Sequence, residues 1–333
     1  IKPYYHVAPN LFIARNYLEK NREKIEALRK PKIISQRIVA HVLTPIDHII
    51  IMSTLDHEGL LNVDTVENTI VTDSDYDIKY VLAFLNSKFV SWFAYTFIFN
   101  KAVRTMDFDD YYVGKIPIFP ASKDKQKSIV ELVESLLKLT KNLVGSKAEF
   151  RGYVNKYPRI DDVKLETYYR KVSAEEKQVL IQSNLKGIIK NIKIEESENW
   201  LVFMLDFLTE REEHSGVDVL KLKINDNALR GFIAQSVLGG KRHLGKGNIL
   251  GKLLQLSIPR FNKDEEKNSQ VIKEIMKEYQ KTLNKCAQLE EEISGLETAI
   301  NQKILAFYDL SEDEIKFIES SLETGSTILR LLG

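Results

Sequence analysis

The segment Gly240-Lys241-Arg242-His243-Leu244-Gly245-Lys246 has the residue types and spacing of a phosphate-binding loop. Such a loop wraps backbone N–H groups around phosphates, adds a lysine, and is followed by a serine or threonine that holds magnesium. Gly247 occupies that last position, and the residues before the segment, 233–238, have helical spacing where a strand is required. The sequence therefore disfavours nucleotide hydrolysis. Two interpretations stay about equally open, a flexible basic loop on a DNA phosphate strand and a solvated mobile loop.

Other residues suited to DNA contact lie in the first hundred or so positions. Gln36 and Arg37 lie on a strand-like stretch flanked by apolar residues, and these are side-chain types that read adenine and guanine in the major groove. An ion pair between Arg37 and an acidic residue on a sheet face is the alternative, and physical considerations alone favour it somewhat. The predicted DNA-binding set is Arg15, Gln36, Arg37, Lys101, Arg104, Lys241, Arg242, His243 and Lys246.

The sequence lacks the common catalytic and metal-binding patterns. Its six histidines are scattered, without H-E-x-x-H, and no G-x-S-x-G motif occurs. Cys286 is the single cysteine, which excludes an intrachain disulfide and a zinc site built on several thiolates. It also occupies a seam position of a heptad pattern, which favours packing over catalysis. We predict no catalytic residue, no metal and no cofactor in this chain.

The composition is ordinary for a soluble globular protein, with 44% hydrophobic and 29% charged residues. Because the net charge is only +1, a nucleic-acid surface requires local clustering of lysine and arginine. The longest apolar run, 81–99, is interrupted at 86–88 and predicts a buried helix or helix pair, so we expect no membrane partner. One cysteine favours a reducing compartment, the cytoplasm. The chain begins at Ile1 without an initiator methionine, and we interpret it as a piece of a longer polypeptide.

Strands and helices alternate in the predicted element order. Helical spacing predicts helices at 77–89, 123–147, 225–238 and 263–304. Extended stretches predict strands at 32–39, 49–52, 66–72, 111–119, 200–208 and 217–224. Asp56-His57-Glu58-Gly59 predicts a turn. A capping-box pattern at Ser173 and Glu176 predicts a helix to about Lys190, and the same pattern at Ser311 predicts a last short helix.

The two longest predicted helices carry heptad seams and follow similar segments. Aligned on Ile116-Pro117 and Ile258-Pro259, the helices that follow match in their apolar positions, which predicts a unit that occurs twice. A helix of roughly forty residues spans about 60 Å and cannot bury its seam on itself. It must pack on the first long helix, on another chain or on a missing part of this one. We predict an α+β fold in which a mixed β-sheet is joined to long heptad-patterned helices that pack antiparallel.

Several segments occur in an order that resembles a known family. They are 32–39, 55–59, 66–72, 80–88 and 114–118, and the most specific part is Leu85-Asn86-Ser87-Lys88 followed by Lys115-Ile116-Pro117 and a long helix. Residues 305–315 resemble the closing segment of the same enzymes. The chain thus resembles the TaqI-like C-terminal specificity domain of type II restriction-modification enzymes, and is similar to type I specificity subunits. The second copy departs from the pattern, with Ile233-Ala234-Gln235-Ser236 in place of Leu-Asn-Ser-Lys.

This resemblance implies sequence-specific reading of double-stranded DNA by a non-catalytic part of a larger enzyme. In such enzymes an N-terminal methyltransferase with an Asn-Pro-Pro-Tyr motif uses S-adenosylmethionine to methylate adenine N6, and some carry a nuclease. Neither that motif nor a Gly-rich cofactor loop occurs here. The expected partners are duplex DNA and a methyltransferase domain, in the same polypeptide or in a partner subunit. S-adenosylmethionine is expected only in the parent enzyme.

With this resemblance, the expected division is a target recognition domain at 1–120, a connecting helix at 121–150, a second recognition-like α+β domain at 151–262, and the long and C-terminal helices at 263–322. Three other functions stay open. One is a type I specificity subunit, in which two recognition domains are separated by two long helices. A coiled-coil interaction scaffold would use the heptad seams as its functional surface, and a separate enzyme would need a site without a recognisable motif.

Overall fold

Antiparallel sheets alternate with helices along the chain, and the α+β class predicted from the sequence is confirmed. The computed structural model describes residues 1–7, 15–43, 47–62, 65–102, 106–147, 149–240, 245–322 and 326–332. The chain divides into two units: unit 1 comprises 1–146 and 286–333, and unit 2 comprises 147–285. Each unit has its own hydrophobic core.

The sheets of unit 1 are small and antiparallel. Their strands are β1 (Lys32–Gln36), β2 (Ile38–Val42), β3 (His48–Ile50), β4 (Ser53–Asp56), β5 (Val66–Thr69) and β6 (Met106–Asp107). One sheet has the order β4-β1-β5 and the other the order β3-β2-β6. The predicted strand 32–39 is therefore interrupted at Arg37, and its two halves belong to different sheets. Arg37 occupies the corner between them.

The helices of the N-terminal part of unit 1 are α1 (Arg15–Lys20), α2 (Arg22–Leu28), α3 (Ile78–Leu85), α4 (Lys88–Phe93), a π-helix (Ala94–Ile98), α5 (Asp110–Val113) and α6 (Lys123–Ser146). The predicted helix 77–89 is divided: Asn86 is the C-cap of α3, and Ser87 is the N-cap of α4, its hydroxyl accepting from Val90 N at 3.1 Å. Within the described residues, no single helix has the length and apolarity to cross a membrane. The segments 78–85 and 88–98 meet that test only as a pair, which is bent by 53°.

Unit 2 is built on a five-stranded antiparallel sheet. Its elements are α7 (Phe150–Val154), β7 (Asp161–Lys164), α8 (Leu165–Lys171), β8 (Lys177–Val179), β9 (Lys186–Ser197), β10 (Trp200–Leu208), β11 (Glu213–Lys223), α9 (Asn227–Gly240), β12 (Lys246–Asn248), α10 (Ile249–Leu254) and β13 (Ser257–Arg260). The sheet order is β12-β9-β10-β11-β8, and β13 pairs with β7. Three helices complete the chain: α11 (Glu265–Leu305), α12 (Glu312–Ser320) and α13 (Thr327–Leu332).

Two local predictions are wrong. The capping-box contacts do form, with Ser173 N and Oγ at 3.3 and 3.2 Å from Glu176 Oε2, but strands β8 and β9 follow in place of a helix. A cap stabilises a helix that other forces favour, and the isoleucine-rich run at 188–194 favours a strand. The stretch 111–119 was predicted to be extended, but its beginning is helix α5, which Asp109 caps by accepting from Tyr112 N at 3.4 Å.

The long helices pack antiparallel in unit 1. The α6 seam (Ile129, Val133, Leu136, Thr140, Leu143) is buried. Pro117, before α6, accepts a hydrogen bond from Tyr308, which follows the end of α11, and Leu139 near the middle of α6 faces Leu296 of α11. The start of one helix therefore lies near the end of the other. Earlier seam positions of α11, including Ile272 and Ile275, are buried in the core of unit 2.

Candidate nucleic-acid interface

The corner between β1 and β2 places Gln36 and Arg37 side by side. Gln36 Nε2 donates to the carbonyl of Ile1 at 3.1 Å, and Arg37 Nε donates to Asp107 Oδ1 at 2.7 Å. The Arg37 carbonyl also accepts from Phe108 N at 2.6 Å, so the corner is anchored through backbone and side chain. The Arg37 side chain remains 35% exposed. A DNA contact by either residue stays a prediction.

Acidic groups surround the Arg37 guanidinium. Its hydrogen bond to Asp107 and the charge of that carboxylate, with smaller contributions from Glu67 and Asp109, raise the pKa of Arg37. Burial raises the pKa of Glu67, and Arg37 opposes that shift. The arrangement matches the ion pair that physical reasoning had favoured. To bind a base edge, Arg37 would first have to leave Asp107.

A tightly wound turn follows the π-helix and carries Lys101. Asn100 and Lys101 both have left-handed backbones, with φ of 51° and 55°, and Lys101 N donates to Tyr95 O at 2.9 Å. A lysine at positive φ is uncommon, and π-helices and strained backbones concentrate at functional sites. Phe97, within the π-helix, is 62% exposed. The turn thus carries an exposed lysine, and the π-helix before it carries an exposed ring.

Tyr111 and Tyr112 of α5 form a cluster with Lys115 that the sequence pattern did not predict. Lys115 Nζ lies 3.8 Å from the ring centroid of Tyr111 and 5.6 Å from that of Tyr112. Tyr112 also packs on Phe99, with ring centroids 4.9 Å apart, while Tyr111 is 64% exposed. A lysine four residues after the first tyrosine is the helical spacing that could have revealed the cluster, but the stretch was assigned as extended.

A buried ion pair joins the other end of β1 to the turn after β4. Lys32 and Asp56 are both fully buried, and the Lys32 ammonium donates to the Asp56 carboxylate. Lys32 Nζ also donates to the carbonyl oxygens of Leu28, at 2.6 Å, and Leu60, at 2.8 Å. All three ammonium protons therefore have partners, which a buried lysine requires. The sequence pattern predicted the turn at this position but not the ion pair.

The Asp56 carboxylate fixes the backbone of the segment Asp56–Leu60, which we call the clamped loop. It accepts from the N–H groups of Glu58 at 2.9 Å, Gly59 at 3.0 Å and Leu60 at 2.8 Å. Gly59 has φ +70°, and a Cβ there would lie 2.6 Å from the carbonyl oxygen of Arg29. Only glycine fits this close approach between the loop and the end of α2.

Unit 2 has a basic edge at β12. Lys246 pairs with Ile188 of β9, and Lys186 pairs with Asn248, so both lysines lie on the same edge ladder and both are exposed. Lys190, further along β9, is ion-paired with Glu213 at 2.7 Å. Lysines on an edge strand also discourage edge-to-edge aggregation.

The remaining predicted DNA-binding residues lie wholly or partly outside the described residues. These are Arg104, Lys241, Arg242 and His243, and for Arg15 the structure gives only its position at the start of α1. Helix α9 ends at Gly240, so a helix precedes the Gly-Lys segment where a phosphate loop would need a strand.

A small cavity in unit 1 has a structural explanation. Lys88, His48 and Glu297 line it, and Glu297 accepts from the N–H groups of Thr327 at 3.1 Å and Ile328 at 3.3 Å. Burial raises the pKa of Glu297, and these hydrogen bonds oppose the shift. Glu297 thereby caps α13. In the part of the chain that the structure describes, no group of three or more His, Cys, Asp or Glu residues could hold a metal ion.

Comparison with known proteins identifies the N-terminal part of the chain. Residues 1–118 match the family model of the TaqI-like C-terminal specificity domain. Searches of curated proteins and of solved structures find no match. The matched range contains the β1–β2 corner at Arg37, the left-handed turn at Lys101, the cluster of Lys115 with the α5 tyrosines, and the clamped loop. Residues 1–118 of this chain are therefore similar to the TaqI-like C-terminal specificity domain of restriction-modification systems.

Proposed function

We propose that this chain recognises a specific sequence in double-stranded DNA and thereby positions a separate adenine-N6 methyltransferase domain. That domain, with its S-adenosylmethionine, belongs to the same polypeptide or to a partner subunit, and a parent that also cuts DNA carries its nuclease there too. The specificity domain is the non-catalytic part of this division, and we place the enzyme in the cytoplasm. The family match over residues 1–118 is the observation that carries the proposal.

The distribution of charge supports a division of labour between the two units. Residues 1–118 contain 14 lysines and arginines and 14 aspartates and glutamates, so they are neutral overall. Unit 2 contains 26 basic and 20 acidic residues and is therefore net positive. Sequence-independent affinity comes from phosphate contacts, whereas base contacts require few charges. We assign phosphate binding mainly to unit 2, at Lys241, Arg242, His243 and Lys246.

The interaction scaffold is disfavoured by the state of the heptad seams. A scaffold needs at least one seam free for a partner helix. Here Ile293 and Ile300 of α11 are buried in the core of unit 1, and Ile272 and Ile275 are buried in the core of unit 2. The seams are used within the chain.

The test is site selection with the whole chain, from a randomised duplex library at low salt, followed by titration with salt. We expect one enriched sequence motif and an affinity that falls steeply as salt rises. The double variant Lys241→Ala, Arg242→Ala should bind every duplex more weakly while it selects the same motif.

A matched control is Lys171→Ala, which removes a unit 2 lysine already ion-paired with Glu265 at 2.5 Å. It should bind like the unmodified chain. Equal and negligible binding to all duplexes at low salt, by the chain and by the full parent enzyme, would refute the proposal.

A further inference from the structure

The clamped loop presents a polar tip on a fixed backbone. His57 and Glu58 are exposed, whereas Asp56 beneath them is fully buried and holds three successive backbone N–H groups. A buried ion pair contributes little net stability relative to apolar residues, but it defines one conformation when every hydrogen bond is satisfied. The ion pair of Lys32 and Asp56 thus acts as a positioning device for the two exposed side chains.

Exposed cations flank this tip. Gly59 packs against the backbone of Arg29, so Arg29 and Lys30 lie next to the loop, and both side chains are exposed. Within the described residues, neither of them forms an ion pair. Burial lowers the pKa of the half-buried His6, and the charges of Asp56 and Glu58 oppose that shift.

The two ends of β1 differ in their suitability for a polyanion. They are about 13 Å apart, at roughly 3.3 Å per residue. Arg37 at one end is paired with Asp107 and lies near Glu67 and Asp109. At the clamped loop, Arg29 and Lys30, which form no ion pair within the described residues, flank the exposed carboxylate of Glu58. A duplex is therefore less repelled at the clamped loop.

We propose that the clamped loop is a base-reading element of the DNA recognition proposed above. In this arrangement, the Glu58 carboxylate accepts a hydrogen bond from an exocyclic amino group in the major groove, cytosine N4 or adenine N6. His57 contacts the neighbouring base edge, and Arg29 and Lys30 hold the flanking phosphates. A carboxylate can only accept hydrogen bonds, so it favours a base edge that donates. The cations offset its repulsion from the DNA backbone.

The experiment compares site selection by the whole chain with that of its Glu58→Gln and Glu58→Ala variants. We expect Glu58→Ala to lose preference at one base pair, with about tenfold to hundredfold weaker binding to the original site and an unchanged salt dependence. A glutamine both donates and accepts, and it suits adenine. Glu58→Gln should therefore keep selecting adenine if Glu58 reads adenine, and should change its preference if Glu58 reads cytosine.

Two controls separate the outcomes. Glu131→Gln alters an exposed glutamate on α6 and should leave the selected motif unchanged. The double variant Arg29→Ala, Lys30→Ala should weaken binding to all duplexes and reduce the salt dependence. Because Glu58 is exposed, unfolding curves of its variants should match that of the unmodified chain. If the unmodified chain selects a motif and both Glu58 variants select it at every position, the loop does not read bases. If the unmodified chain selects no motif, the proposed function itself has failed.

Discussion

Residues 1–118 and unit 2 are of similar length, but they differ in net charge and in the burial of their charged pairs. The domain at 1–118 is neutral overall and places its polar side chains on fixed turns, with a fully buried ion pair beneath the clamped loop. Unit 2 is net positive, and its charged pairs lie at the surface, as between Arg260 and Asp161. The difference indicates that residues 1–118 hold polar side chains in fixed positions, whereas unit 2 supplies net positive charge.

The largest effect should come from breaking the buried pair. Asp56→Asn leaves the Lys32 ammonium buried without a counter-charge, so the free energy of unfolding should fall by about 3–5 kcal/mol. Asp161→Asn in unit 2 removes one partner of an exposed pair and should cost much less, because solvent screens that pair. Urea unfolding of the whole chain measures both. Equal losses in the two variants would show that burial does not distinguish these pairs.

A second effect concerns two glycines with similar backbones. Gly59 and Gly216 have φ of +70° and +64°, but a Cβ at Gly59 would collide with Arg29 O, whereas Gly216 has open space. Gly59→Ala should therefore cost about 2–3 kcal/mol and Gly216→Ala about 1 kcal/mol, the cost of the left-handed conformation alone. Thermal unfolding checks the difference. A smaller loss for Gly59→Ala would mean that the clamped loop relaxes easily.

Next in size is the removal of edge lysines from unit 2. Lys186→Ala with Lys246→Ala should weaken binding to all duplexes by roughly tenfold and lower the slope of log affinity against log salt by about 1 to 2. The selected motif should not change. Lys190→Ala is the control, because Lys190 is already paired with Glu213. A change of motif in the double variant would move base reading into unit 2.

The smallest effect is a pH dependence within unit 1. Burial raises the pKa of Glu297, so the folded state holds its proton more tightly, and this contribution to stability declines as pH rises through the range just above the ordinary glutamate value. Hydrogen bonds from Ser311 lower the pKa of Glu314, so its contribution is present above that range and is lost as pH falls.

Stability measured against pH should therefore change in opposite ways in the two glutamine variants. Glu297→Gln should remove the component that declines with pH, and Glu314→Gln should remove the component that rises. Identical profiles for both variants would contradict this assignment. Neither glutamate touches the proposed interface, so DNA selection should be unaffected.

Sequence patterns predicted the long elements well, because heptad spacing and β-branched runs are local signals. The α6 and α11 helices and the β10 strand lie within two residues of their expected ends. The ion pair beneath the clamped loop could not be predicted in this way, because no local pattern connects Lys32 with Asp56 across 24 positions. Arg37 shows the same limit: its type suggested base reading, but its partner Asp107 is 70 positions away. Contacts of this kind depend on strand pairing, which the sequence pattern did not specify.

The core of the matched domain depends on residues that are synthesised after unit 2. Its core includes Ile293 and Ile300 of α11 and Ile328 of α13, whereas the core of unit 2 is complete by residue 279 or so. A ribosome would therefore release a finished unit 2 while residues 1–146 still expose the apolar side of α6. Nascent chains should acquire protease resistance in unit 2 first, although the specificity domain precedes it in the gene. A recombinant fragment that stops at residue 118 would lack this covering and should aggregate.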